Sequence, residues 1–166
     1  MMLGMSLPTF TLVHVVISLI GIFSGLVVLI GMLRTKRYGG WTGLFLLTTI
    51  LTSVTGFMFP FTAVGPSQIV GAISLVALAI AIVALYIVRL ARSWRWIYVA
   101  CAVLALYLNV FVGVVQSFQK LPFLRPLAPT QSEPPFLAAQ IAVLVIFVLA
   151  GFVAARRFHP ERRSLA

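Results

Sequence analysis

Eight polar side chains carry most of the chemistry this sequence offers: His14, Asn109, Gln116, Gln119, Lys120, Gln131, Glu133 and Gln140. All lie within or beside long apolar runs, where an unpaired amide or charge is costly. Imidazole titrates near neutrality, and a part-buried carboxyl can be raised towards that range. His14, Glu133 and Lys120 could therefore form a proton-exchanging or anion-binding site. A structural reading stands beside it: a salt bridge from Glu133 to Lys120 or Arg125 pins the loop, and His14 is a hydrogen-bonded packing residue. Gln131 and Gln140 would orient a ligand in the first reading and cap the last helix in the second. Asn109 alone reads first as an interhelical hydrogen bond.

Spacing sorts these residues onto helices. Ala102, Ala105, Asn109, Gly113, Gln116 and Lys120 recur three or four apart, hence on one helical face. Thr11, His14, Ser18, Gly21 and Gly25 form a similar stripe, which includes the GxxxG pattern GIFSG. Thr48, Thr49, Thr52, Ser53, Thr55 and Gly56 give a third polar face, and Gly71, Ser74, Ala77, Ala81 and Ala84 a smooth ridge.

The helices must be membrane spans. The chain has 166 residues, 62% hydrophobic and 8% charged, with mean hydropathy +1.16. A soluble domain has about a quarter of its residues charged. The expected fold is all-α, a polytopic bundle of five transmembrane helices at 11–33, 41–62, 69–90, 96–117 and 136–155. These make one domain, 1–155, with a proline-rich outer loop at 118–135 and a basic tail at 156–166. No positive residue precedes the first run, and its basic cluster follows it, so it is expected to stay in the mature protein.

Basic residues orient the bundle. With alternating spans, Arg34, Lys36, Arg37, Arg89, Arg92, Arg95, Arg156, Arg157, Arg162 and Arg163 share one side, against only Lys120 and Arg125 on the other. Positive charge collects on the cytoplasmic side. The N-terminus is thus expected outside and the C-terminus in the cytoplasm, as in a bacterial inner-membrane protein. The net charge of +10 is explained by these clusters without nucleic acid, and the tail suits anionic lipid headgroups.

Several classes of chemistry fall away. Cys101 is the single cysteine, which precludes an internal disulfide. The layout is loosely similar to small bacterial membrane families that carry b-type haem, a resemblance that would imply paired axial histidines. The two histidines here, His14 and His159, fall on opposite sides, so one chain offers no bis-histidine haem site. One outer His and one outer Glu fall short of a zinc site, and no nucleotide, hydrolase or metalloprotease motif occurs. Any cofactor is therefore unknown from sequence. The leading expectation is a non-enzymatic membrane protein that binds a small amphiphile, a quinone or lipid, at an outer polar pocket, or serves as accessory subunit of a membrane complex. A homo-oligomer fits either role. A small transporter or channel is the alternative, and an outer-facing enzyme using His14 and Glu133 the second alternative.

Overall fold

The computed structural model describes residues 4, 6–59 and 66–159. They form an all-helical bundle with no strand among them, and five helices are long and apolar enough to cross a membrane. These are α1 (Leu7–Leu33), α2 (Gly39–Phe57), α3 (Pro66–Ile82, continued by a π-helical turn, Val83–Ile87), α4 (Trp94–Lys120) and α5 (Pro134–Arg157).

Local chemistry sets the ends. Ser6 caps α1, its hydroxyl accepting from the Thr9 amide, and Pro8 fits the first turn, where a missing N–H is harmless. At the other end the Lys36 amide bonds the Gly31 carbonyl at 2.8 Å and the Thr35 amide the Met32 carbonyl at 3.2 Å. This is a Schellman closure with Thr35 in the left-handed position, φ 57°. The α3–α4 turn places three more non-glycine residues there: Arg89, Leu90 and Arg92.

The helix ends differ from those read in the sequence where the backbone hydrogen-bonded ladder continues past the apolar run. α4 extends through Lys120, so Phe118, Gln119 and Lys120 stand on a helix rather than in the loop. α5 extends through Arg157, and Phe158 beyond it is buried against Tyr98, ring centroids 6.0 Å apart. For α2 the described helix stops at Phe57, and 60–62 lie outside the described residues, as do 160–166 of the tail.

α4 is the central helix, touching every other one. It runs antiparallel to α1, since Gly25 faces Leu106 while Gly21 faces Asn109. It opposes α5 likewise, since Gly151 faces Val103 while Gln140 reaches Phe111. One end of the bundle therefore carries the basic turns, and the other carries the α4–α5 loop. The main apolar core, with Met32, Phe45, Leu78, Leu85, Tyr98 and Leu106, fills the half nearer the basic turns. At the loop end a smaller cluster of Phe118, Ala128 and Phe136 holds the loop down.

The outer surface is apolar. α5 buries only Phe136, Gln140, Phe147 and Ala154, one narrow stripe, and exposes Ile146, Val148 and Leu149. Phe23 of α1 and Val76 of α3 are exposed too. An apolar girdle of this kind suits hydrocarbon, where only close packing and hydrogen bonds drive helices together.

Candidate functional site

Two polar regions lie towards the loop end. The first is a seam between α1, α2 and α4. Most hydroxyls on these helices are satisfied by their own backbone: Thr48 and Thr55 donate to the carbonyls of Leu44 and Leu51, each at 2.7 Å. Thr49 breaks the pattern. It is 1% exposed, yet its hydroxyl has no hydrogen-bond partner among the described residues. The same is true of Thr52 Oγ1, Asn109 Nδ2 and Gln116 Oε1. Asn109 Nδ2, Thr49 Oγ1 and Thr48 Oγ1 converge on Gly21, at 3.0, 3.2 and 3.3 Å from where a Cβ there would lie. Glycine at this position is what lets α2 and α4 bring polar atoms against α1.

Two helical turns along α1, His14 Nδ1 meets Thr55 Oγ1 at 2.7 Å. The Thr55 hydroxyl also lies 2.7 Å from the Leu51 carbonyl, and a Thr55 proton given there pairs with an Nδ1–H donor on His14. The ring also packs edge-on against Phe59, centroids 5.2 Å apart. His14 is thus a bonded residue of the α1–α2 interface.

The second region is a cleft of about 310 Å³ lined by Phe118, Gln119, Arg125, Ala128, Pro129, Thr130 and Gln131. α4 supplies its floor, and the loop, through the short 3₁₀ turn Arg125–Leu127, its rim. Gln131, left-handed at φ 60°, donates from Nε2 to the Val115 carbonyl at 3.1 Å. One turn back on α4, Gln140 donates to the Phe111 carbonyl at 3.2 Å. These two amides fasten the loop and α5 to α4.

Glu133 sits at the N-cap position of α5 without capping it. Its Oε1 accepts from the Thr130 amide at 3.0 Å and the Thr130 hydroxyl at 2.8 Å, and Oε2 from the Ser132 amide at 3.1 Å. The loop closes on its own carboxylate, and no ion pair links Glu133 to Lys120 or Arg125 among the described residues. Partial desolvation pushes the Glu133 carboxyl up, but the Thr130 hydrogen bonds with those from the Glu133 and Ser132 amides outweigh it and hold it below the usual carboxylate range. A depressed folded pKa means that this contribution is present above the unfolded value and is lost as pH falls through the folded one. Protection of the Thr130 and Ser132 amides, taken relative to their intrinsic exchange rates, is therefore expected to hold from neutral pH down to the carboxylate range and to fall below it. Glu133→Gln should reduce the protection of these amides relative to their intrinsic exchange rate at neutral pH.

The eight polar residues therefore do not form one cluster. His14 and Asn109 belong to the seam, Gln116 keeps on α4 a buried Oε1 with no partner among the described residues, and Gln119 and Gln131 line the cleft. Gln140 staples α5, Glu133 is engaged within its loop, and Lys120 is exposed at the end of α4. Arg125 is the cleft residue that spacing did not single out, because a lone arginine in a proline-rich loop has no periodicity to mark it. Among the described residues no three of His, Cys, Asp and Glu gather as metal ligands.

Fold and site together define an all-helical protein with five membrane-length helices and a polar, basic cleft at one end. No protein-family model, curated protein or solved structure matches the chain.

Proposed function

We propose that this is an integral inner-membrane protein, N-terminus outside and C-terminus in the cytoplasm, that binds a small amphiphile without transforming it. The observation carrying this reading is the cleft that Arg125, Gln119 and Gln131 line. Glu133, the one carboxylate among the described side chains, is occupied by Thr130 and Ser132, which leaves the guanidinium for an external acceptor. The same loop exposes Leu121, Phe123 and Leu127, apolar surface on which a lipid or quinone tail can lie. A volume near 310 Å³ is at the small end for ligand pockets and suits a head group with its tail left in the bilayer.

Binding is favoured over a channel because the half of the bundle nearer the basic turns is packed shut. Gly25 is pressed against Leu106 and Phe45, each 1% exposed. It is favoured over an enzyme because His14 and Glu133 are tied to different partners in different elements. Mass spectrometry of an organic extract of the purified protein tests the reading. A phospholipid or quinone present in stoichiometric amount is expected, and protein that purifies free of amphiphile, or carrying haem, would overturn it.

A further inference from the structure

We infer that the amphiphile of the loop cleft is a phospholipid, held by its phosphate on Arg125. This rests on the amphiphile reading and narrows it from lipid or quinone to one head-group chemistry. Charge is the first ground. Arg125 lines the cleft of about 310 Å³, and the loop's one carboxylate, Glu133, accepts instead from Thr130 and Ser132. Lys120, next to the cleft residue Gln119 at the end of α4, adds a second cation. The guanidinium presents a planar fork of donors that matches two oxygens of one phosphate. A quinone carbonyl offers it a single neutral oxygen.

The backbone leaves that task to the side chain. The amides of Arg125, Thr130 and Gln131 are engaged by Leu121, Glu133 and Ala128, and Pro129, which lines the cleft, has no N–H. The glutamines then separate a phospholipid from a fatty acid. Gln131 gives its Nε2 to the Val115 carbonyl, so its Oε1 is left to accept. Gln119 brings a second amide with no bond to another described residue. A fatty-acid carboxylate would pair with Arg125 but offer these carbonyls no donor. A phosphodiester whose head group carries hydroxyls or an ammonium supplies both. Phe123, 70% exposed on the same loop, gives the acyl chains a surface, which favours a lipid over free phosphate.

Native mass spectrometry of the full-length protein, delipidated in detergent, tests this with four probes: didecanoyl phosphatidylglycerol, decylubiquinone, decanoate and inorganic phosphate. The phosphatidylglycerol is expected to bind about tenfold or more tightly than each of the others, the difference one hydrogen-bonded charge makes. Arg125→Gln should remove that preference. Arg125→Lys, which keeps the charge without the fork, should keep part of it. Decylubiquinone or decanoate binding as tightly as the phospholipid would overturn the inference and leave the amphiphile reading standing. Inorganic phosphate binding as tightly would overturn it by making the lipid unnecessary. A preference intact in Arg125→Gln would place recognition outside the cleft, and a protein that takes up none of the probes would sink both readings.

Discussion

Gly25→Val is expected to destabilise the bundle by about 3 kcal/mol, the upper end of typical overpacking costs, read as a lower unfolding midpoint in detergent. A Cβ at Gly25 would lie 2.5 Å from Leu106 Cδ1 and 2.8 Å from the Phe45 ring. Both neighbours are 1% exposed and held by the main core, so neither can swing aside. In lipid or detergent there is no transfer term between helix faces to compensate, since close packing itself is what associates them. Replacing a helical glycine by valine recovers only about 0.4 kcal/mol of propensity, since valine is itself a weak helix former, which is too small to reverse the sign. Gly43 is the control, because a Cβ there meets nothing within 4 Å. Gly43→Ala should raise the midpoint slightly, and an unchanged midpoint in Gly25→Val would contradict the packing described.

Arg125→Gln is expected to reduce bound amphiphile about tenfold or more. A hydrogen bond to a charged group contributes about 1.5–3 kcal/mol, and about 1.4 kcal/mol is a factor of ten. Arg125 is exposed at the rim, so the loss should shrink as salt screens its charge. Arg92→Gln, at the opposite end of the bundle, should leave the amphiphile content unchanged. Equal loss in both variants would mean that the lipid is held by general charge and not by the cleft.

The five membrane-length helices were legible because apolar runs of spanning length need no tertiary context. The faces that meet were legible in part. Gly21, Thr49 and Asn109 lie on the small and polar stripes that spacing picks out, and they converge. Gly25 of the GIFSG pattern meets Leu106 and Phe45 of its own chain, a partner that no count along one helix could name. Pairings across the loop were hidden for the same reason. Glu133 bonds residues one and three positions away, because three nearby donors fix a carboxylate more cheaply than a long lysine or arginine that must be immobilised. Gln131 and Gln140 reach backbone carbonyls of α4, and a carbonyl has no letter in the sequence. The π-helical turn and the left-handed Arg89, Leu90 and Arg92 carry no glycine signal that would have announced them.

The proposed orientation puts the cleft outside the cell and the basic turns in the cytoplasm. Single cysteines test it in a Cys101→Ala background, at Pro122 in the loop and Ser93 in the α3–α4 turn, both exposed. With a membrane-impermeant thiol reagent on intact cells, Pro122→Cys is expected to be labelled at once, and Ser93→Cys only after permeabilisation. Labelling in the reverse order would place Arg125 on the cytoplasmic face and contradict the account.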